Sequence, residues 1–300
     1  MITALIFVAS LTSQSRPPKL EKVHWLRRYS CDRMSLVGNN VCASGDIVDE
    51  YTGLELMTKS GKHIRSLLGR FSEIFVGGAN GLVYSSSNGS IHISTDRGKE
   101  LRHFGSFGNH ADQFTKGGKV WWEDYEDGPQ YMAVGPTGDV YAYDQGSRSI
   151  KHFSDKGRFL GVVKPNILSD VNVFDLAVDS LDNVYAACQS DKPQGFVVCI
   201  SPSGKVLRTF GSIGEGVGRF YLEENAASGP SAVAVGPDGL IYVADENGGK
   251  VEVFSSSGQP LKTLKFARRD DGMLIYNIAI DKSGTLFVGS RYGLFSRKKR

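Results

Sequence analysis

Two long segments of the chain, residues 110–130 and 214–230, combine aromatic side chains with carboxylates. An aromatic ring offers an apolar face that attracts cations, and a neighbouring carboxylate orients a polar ligand. A third, shorter segment, residues 264–276, adds two arginines. The candidate ligand-binding residues are Trp121, Trp122, Asp124, Tyr125, Tyr221, Glu223, Glu224, Arg268 and Arg269. A structural alternative remains open, in which the tryptophans cover apolar edges of the fold and the acids face water.

A second candidate site consists of three oxygen donors, Glu73, Asp175 and Asn277, that precede the first strand in copies of a repeated pattern described below. Carboxylate and amide oxygens are the ligands that Ca²⁺ and Mg²⁺ prefer. The set is therefore a candidate Ca²⁺ or Mg²⁺ site. The alternative is that these side chains are solvated strand ends and that the protein uses no cofactor.

Common catalytic motifs are missing from the sequence. It contains no GxSxG, HExxH or GxxxxGK[ST] pattern, the signatures of several hydrolases and of phosphate-binding loops. Among the histidines, only His110 lies in a candidate loop, whereas His92 and His152 fall in predicted third strands and His63 and His103 in outer strands. We therefore predict no catalytic residue and favour a non-enzymatic binding module.

A repeated pattern of strands and glycine turns must position these residues. Clear copies span residues 132–163, 176–211 and 232–264, a weaker copy spans 75–105, and a partial copy spans 278–300. Each copy has an apolar strand, a Gly/Asp/Asn turn suited to positive φ, an alternating strand, a third strand and a second glycine turn. Such a unit cannot bury both faces alone, so copies must stack.

One aromatic residue marks the second strand of each copy: Tyr84, Tyr141, Tyr185, Tyr242 and Phe287, with spacings of 57, 44, 57 and 45 residues. Cys42 occupies the same place in a degraded first copy. Six four-stranded units of this period predict an all-β fold, a six-bladed β-propeller of antiparallel blades. The two long spacings place segments 110–130 and 214–230 between blades, where loops of this length are usually functional or disordered.

The last copy has no room for a fourth strand, because the chain ends soon after GLFSR (293–297). The segment Lys22–Tyr29 (KVHWLRRY) precedes the first copy. We predict that it supplies the missing outer strand, closes the ring and removes an exposed edge. Residues 19–300 then form one domain.

The phrases GPDGLIYVAD (236–245) and SGKVLRTFGSIG (203–214) resemble NHL repeats, and the resemblance extends over residues 70–290. It implies the propeller fold but not one function, since NHL propellers include scaffolds, receptors, RNA-binding proteins and lyases. The oxygen-donor set is similar to that of gluconolactonase-like hydrolases, although the order and surrounding motifs differ. A metal-dependent hydrolase is therefore the first alternative and an RNA-binding NHL propeller the second. The central histidines of the related amidating lyases are not present.

Charge argues against a nucleic-acid partner. The net charge is +3, and Arg297, Lys298, Lys299 and Arg300 contribute four positive charges at the C-terminus. The rest of the chain is close to neutral, whereas a nucleic-acid surface is strongly basic. We therefore predict a peptide, glycan or protein partner, bound on the loop face, the face of the propeller that carries segments 110–130 and 214–230.

The N-terminal run ITALIFVASL (2–11) is too short to cross a bilayer, which needs about 20 apolar residues. Residues 1–15 resemble a signal peptide that lacks its usual basic start, and the alternatives are a disordered start or an N-terminal strand. Export to a secreted or periplasmic location is the expectation, with a soluble cytoplasmic protein as the alternative. The sequence predicts no transmembrane segment.

Four cysteines, Cys31, Cys42, Cys188 and Cys199, permit two disulfides in an exported chain. Cys188 and Cys199 fall on neighbouring antiparallel strands and would bond only if they are directly opposed. Buried free thiols are the alternative.

Overall fold

The computed structural model describes residues 31, 33–44, 46–47, 50–51, 54–67, 75–120, 123–190, 194–221, 229–266, 274–290 and 293–297. Within these ranges, only the backbone is described for 46–47, 50–51, 117–120 and 123–127. The predicted closing strand, Lys22–Tyr29, lies outside the described residues, as does the start of the chain.

The structure confirms the six-bladed β-propeller. Each sheet runs in chain order through antiparallel neighbours. Blade 1 consists of Arg33–Val37, Asn40–Ser44, Leu54–Thr58 and His63–Leu67. Blade 2 consists of Phe75–Gly77, Leu82–Ser87, Ser90–Thr95 and Glu100–Phe104. Blade 3 consists of Pro129–Val134, Val140–Asp144, Ser149–Phe153 and Phe159–Val163.

The second half of the ring repeats this arrangement. Blade 4 consists of Asn172–Val178, Val184–Gln189, Gly195–Ile200 and Val206–Phe210. Blade 5 consists of Pro230–Val235, Ile241–Asp245, Lys250–Phe254 and Pro260–Lys265. Three strands of blade 6 are described, Ile275–Ile280, Leu286–Ser290 and Gly293–Arg297.

Smaller elements lie in the connections. A 3₁₀ turn, Asn166–Leu168, links blades 3 and 4. Short two-stranded pairs join Asp46–Ile47 to Glu50–Tyr51, Lys116–Val120 to Glu123–Asp127, and Ser212–Ile213 to Arg219–Phe220. The predicted loop 110–130 therefore contains a pair of antiparallel strands, because residues 116–120 pair with residues 123–127.

The hydrophobic core is divided among the contacts between neighbouring blades. Tyr84 of blade 2 packs with Val140 and Phe153 of blade 3, for example. The ring also closes through side chains, because Phe287 of blade 6 packs with Val41 and Met57 of blade 1. The marker residues of all six copies are buried in second strands: Cys42, Tyr84, Tyr141, Tyr185, Tyr242 and Phe287. Each side chain fills the space between two sheets, which explains its recurrence.

The turn between the first and second strands needs positive φ, as the sequence predicts. Gly239 has φ of 74° in blade 5. Blade 4 has no glycine at this position, and Asp182 adopts φ of 59° instead. Aspartate tolerates this region better than most side chains. A different residue holds the turn, since Oδ1 of Asp179 accepts the N–H groups of Leu181 and Asn183.

Candidate functional site at the mouth of the central channel

The first strands of all six blades surround a central channel with a cavity of about 220 Å³. In blades 3 to 6 a β-bulge interrupts the first strand directly before one shared position. That position holds Tyr131, Asp175, Ala232 and Asn277 in turn. These residues lie within the strands and not ahead of them, which corrects the sequence analysis. A bulge re-aims the following side chain, and Tyr131, Asp175 and Asn277 line the channel.

The channel is polar at one end and apolar at the other. Arg33, Tyr131, Asp175 and Asn277 lie in the early part of their first strands, on the side where the connections between blades enter. Because the blades share one topology, the later residues of these strands lie towards the opposite face. The residues there are mostly apolar: Leu36, Gly77, Val134, Val178, Val235 and Ile280. A ligand entering from the loop face therefore meets polar groups first.

Arg33 connects two sides of this mouth. Its guanidinium carbon lies 5.5 Å from the centre of the Tyr131 ring, although the residues belong to blades 1 and 3. Guanidinium groups stack on aromatic faces in this way, and the attraction between ring and cation is stronger where water is excluded. Burial raises the pKa of Tyr131, and the nearby Arg33 charge and hydrogen bond oppose that rise. The phenol therefore stays neutral and offers both a donor and an acceptor.

Asp175 is the acidic group of the mouth. Its Oδ2 accepts the N–H of Val233 from the neighbouring blade at 2.9 Å. Burial raises the pKa of Asp175 to about 7, against the lowering effect of hydrogen bonds from Val233 and Leu176 and of the Arg33 charge. Burial acts in this direction because it disfavours the ionised form. Near neutral pH the carboxyl thus exchanges between a hydrogen-bond donor and an anion.

The predicted metal set is described only in part. Glu73 lies outside the described residues, while Asp175 and Asn277 line the same channel. The described part of the set provides one carboxylate and one amide, and Arg33 brings a positive charge into the same cavity. Ca²⁺ takes six to eight oxygen ligands and Mg²⁺ six. The described side chains therefore fit an organic polar ligand better than a hard cation.

Two aspartates anchor the long segments between blades. Oδ2 of Asp245 accepts the N–H of Tyr221 at 2.7 Å. Asp144 accepts the backbone N–H and the hydroxyl of Thr115 at 3.1–3.3 Å. Both aspartates are buried and end the second strand of the blade that receives the segment. Charged acceptors of backbone N–H groups form the stronger class of hydrogen bonds, so both segments leave from rigid points.

Buried phenylalanines support the same anchors. Phe114 and Phe220 precede Thr115 and Tyr221, and neither is exposed. Each belongs to a parallel pairing, Phe107 with Phe114 and Ile213 with Phe220. This anchoring arrangement was not predicted from the sequence. Its signal is the aspartate that ends VYAYD and IYVAD, which occurs only in blades 3 and 5, the blades entered by the long segments.

Most predicted ligand-binding residues lie outside the part of the chain with described side chains. Tyr221 is described, and 43% of its side-chain surface is exposed. Asp124 and Tyr125 lie in the strand Glu123–Asp127, of which the backbone is described. The others fall outside the described residues: Trp121, Trp122, Glu223, Glu224, Arg268 and Arg269. Their grouping in one site stays a prediction. Arg33 and Tyr131 are the mouth residues that the sequence analysis did not select.

Comparisons with known proteins support the fold. The model of the NHL repeat matches residues 228–254, the core of blade 5. No curated protein matches the chain. A Bacteroides thetaiotaomicron protein of unknown function is 15% identical, with a TM-score of 0.58 over 90% of this chain and 70% of that one.

Two further solved structures are similar at the same level. An inactive virginiamycin B lyase from Staphylococcus aureus, solved with quinupristin, is 14% identical, with a TM-score of 0.55 over 89% of this chain and 79% of that one. A Bacteroides caccae protein of unknown function is 15% identical, with a TM-score of 0.53 over 84% of this chain and 86% of that one. Identities this low establish the shared fold alone. In the described part of this chain, no helix is long and apolar enough to cross a membrane.

Proposed function

We propose that this chain, a six-bladed NHL-repeat propeller, is a non-enzymatic module that binds a peptide, glycan or protein at the mouth of its central channel. The observation that carries the proposal is the polar entrance formed by Arg33, Tyr131 and Asp175. A guanidinium, a phenol and a carboxyl converge on one cavity and supply a cation, a neutral donor and an acceptor. Such groups orient a ligand within a pocket whose remaining walls are apolar.

The anchored segments between blades extend this surface. Tyr221 is exposed directly beside its fixed backbone hydrogen bond, so the aromatic ring leaves a rigid point. We propose that Trp121, Trp122 and Tyr125 stack on the ligand while Asp124, Glu223 and Glu224 orient its polar groups. Arg268 and Arg269 would complete a rim of both charges. Rigid aromatic anchors supply contact area at low entropic cost, which suits peptides and glycans.

A peptide and glycan array tests this proposal. Wild-type protein should retain a defined set of ligands, and Arg33→Met and Asp175→Asn should each weaken binding of those ligands. The matched control is Asp238→Asn, because Asp238 is exposed and lies in the turn between the first and second strands of blade 5, on the opposite face. Equal binding by all four proteins would place the ligand elsewhere and reject the channel mouth.

The tryptophans distinguish binding from structure. If Trp121 and Trp122 form a ligand wall, their replacement by Ala lowers affinity by about 1 kcal/mol or more per ring with little change in stability. If they seal a blade interface, stability falls by about 3–5 kcal/mol each. The second outcome would remove the loop surface from the proposal and leave the channel residues to be judged by their own variants.

A hydrolase is a second candidate because Asp175 has a pKa raised to about 7 by burial. A carboxyl of this kind in a channel mouth is suited to general acid–base chemistry near neutral pH. A panel of lactones and esters, assayed with and without Ca²⁺ or Mg²⁺, tests the activity. Turnover that Asp175→Asn abolishes, while Asp238→Asn preserves it, would favour the hydrolase. Absence of turnover across the panel would favour the binding module.

Export is part of the proposed setting. The apolar run 2–11 supports cleavage of a signal near Ser10–Ser15. Expression in the source cell followed by N-terminal sequencing gives the mature start. A chain that begins at Met1 and stays inside the cell would reject export without affecting the channel proposal.

A further inference from the structure

We propose that blade 2 carries a Zn²⁺ site on its outer edge, formed by His92, Glu100 and His103. This site is separate from the channel mouth, since the three residues belong to the third and fourth strands. One ligand atom from each residue lies within 4.8 Å of the other two. Glu100 already bridges the imidazoles, with Oε2 at 3.2 Å from Nδ1 of His92 and Oε1 at 2.8 Å from Nδ1 of His103.

The strand register brings the three side chains to one face. His92 and His103 are directly opposed across the antiparallel pair, and their ring centres are 5.3 Å apart. A bulge between Glu100 and Arg102 adds one residue to the fourth strand. Without it, residues 100 and 103 would point to opposite faces, because side chains alternate along a strand. The bulge reverses that parity and turns Glu100 towards His103.

Blade 1 packs on the inner strands of this face through Val83, whereas the outer strands, which carry the three ligand residues, are accessible to solvent. The opposite face carries the contact with blade 3, where Arg102 donates to the carbonyl oxygen of Asp155 and Phe104 packs on Phe153. The side chains of His92, Glu100 and His103 are 25%, 44% and 61% exposed. The rings can therefore adjust without disturbing the core, and solvent can complete the coordination shell.

The types of ligand atom in this cluster favour Zn²⁺ over other metal ions. Two imidazole nitrogens and one carboxylate oxygen are a combination found in zinc sites, with a water molecule in the fourth position. A tetrahedral ion with bonds of about 2.0–2.1 Å holds neighbouring ligand atoms roughly 3.3 Å apart. The Nδ1 atoms of His92 and His103 lie 3.2 and 2.8 Å from the two different oxygens of Glu100, so a small side-chain adjustment suffices to bind an ion. Ca²⁺ and Mg²⁺ prefer oxygen ligands and should not compete. Binding moves the imidazole proton of each histidine to Nε2 and leaves Nδ1 for the metal.

Blade 1 offers a natural comparison at equivalent positions. There Glu55 replaces His92, His63 replaces Glu100 and Ser66 replaces His103, as the matching register shows. Glu55 bonds to both neighbours, His63 at 2.5 Å and the Ser66 hydroxyl at 2.6 Å. This trio has one histidine and a hydroxyl, so it lacks the second imidazole. It should not hold Zn²⁺ firmly.

Calorimetric titration of the full chain without a histidine tag tests the proposal, with Zn²⁺ as the probe and Ca²⁺ as the specificity arm. We expect one saturable Zn²⁺ site and no Ca²⁺ signal. His92→Gln and His103→Gln should each weaken Zn²⁺ binding ~10-fold or more, because loss of a direct ligand costs at least as much as loss of its supporting partner. The matched control His63→Gln should bind Zn²⁺ as the wild type does.

A gain-of-function variant and NMR spectra of the histidine rings complete the test. Ser66→His supplies the missing imidazole in blade 1 and should add a second Zn²⁺ equivalent. Melting curves in chelator check that each variant is folded, and ¹⁵N spectra of the wild-type histidines should show Nδ1 of two rings shifting on Zn²⁺ addition. Absence of a saturable site in the wild type, or equal Zn²⁺ affinity in His103→Gln, would overturn the assignment.

Discussion

The backbone N–H of Tyr221 donates to Oδ2 of Asp245 at 2.7 Å, so the connection between blades 4 and 5 is held by the second strand of blade 5. Asp245 also accepts the N–H of Gly248 at 2.9 Å and lies 3.6 Å from Nζ of Lys250. In blade 3, Asp144 accepts the N–H of Thr115 and holds the preceding connection in the same way. Buried carboxylates therefore hold the rim of the channel, together with the pairings of Phe114 and Phe220 within the connections.

Replacement of Asp245 by Ala should release this anchor. Two part-buried N–H groups, those of Tyr221 and Gly248, lose their acceptor, and an unmatched buried group costs about 1–3 kcal/mol. We expect lower stability in denaturant unfolding and faster hydrogen exchange at the amide of Tyr221. Asp144→Ala is the matched control, because it should expose the amide of Thr115 and leave that of Tyr221 protected. Unchanged exchange at Tyr221 in Asp245→Ala would contradict the anchoring role.

Asp175 makes stability depend on pH. Its folded pKa is raised from 3.8 to about 7 by burial, so the folded state holds a proton that the unfolded state has released between these values. Stability contributed by this group is therefore present below pH 4 and is lost as pH rises towards 7. A pKa shift of one unit corresponds to 1.36 kcal/mol, so the shift of Asp175 limits its contribution to the free energy of unfolding to about 4 kcal/mol. Water at the channel mouth screens the charge, so we expect roughly 1–2 kcal/mol.

Asp175→Asn removes that dependence. The amide resembles the protonated acid and keeps an oxygen for the N–H of Val233, so the variant and the wild type should be equally stable near pH 4. At pH 8 the variant should be more stable than the wild type by roughly 1–2 kcal/mol. Thermal or urea unfolding across this range measures the difference, with Asp238→Asn as the exposed control. A difference that stays constant from pH 4 to pH 8 would show that Asp175 is already ionised throughout.

All four cysteines should titrate as free thiols. Cys188 pairs with Phe196 and Cys199 with Tyr185, so the two are not opposed, and they belong to core clusters on opposite sides of the sheet. Cys31 and Cys42 are likewise thiols and not a disulfide, and they lie in different core clusters. Burial raises the pKa of Cys188, and it raises that of Cys42 to about 12.

A thiol reagent gives a direct count, because the thiolate is the reactive form. We expect four thiols in denaturant without reductant and slow, incomplete reaction in the folded protein. The predicted alternative of two disulfides would instead give none in denaturant. Rapid reaction of the folded chain would place a cysteine at the surface, against its burial in the structure.

The blades could be predicted from sequence because one buried aromatic recurs at a fixed strand position. Tyr141 and Tyr185 fill equivalent spaces between neighbouring sheets, so packing imposes the period that the sequence displays. The equivalence of Tyr131, Asp175 and Asn277 also follows from that alignment. Their place within the strands does not, because a bulge shifts the register without a residue signature of its own.

Arg33 could not be selected in the same way. It lies in the degraded first copy, where Cys42 stands in place of the aromatic marker, and its contact with Tyr131 skips blade 2. The proposed Zn²⁺ site on blade 2 could not be predicted from the sequence for a related reason. His92 and His103 were placed on the correct strands, but their contact with Glu100 depends on cross-strand register and a bulge, which single-sequence patterns do not specify.

Ring closure by the N-terminal segment stays a prediction, and it has a described point of support. The N–H of Cys31 donates to the carbonyl oxygen of Ser290 at 2.8 Å, so the chain enters blade 1 beside blade 6. The predicted closing strand, Lys22–Tyr29, would pair with Gly293–Arg297, the last described strand of blade 6. Deletion of residues 1–30 should leave that strand with an exposed edge, lower the melting temperature sharply and promote aggregation.

Deletion of residues 1–15 is the control, because it retains Lys22–Tyr29 and should melt like the full chain. If the two truncated proteins melt at the same temperature as the full chain, the outer strand of blade 6 is not supplied by this segment, and closure rests on the described contacts between blades 1 and 6, among them the packing of Phe287.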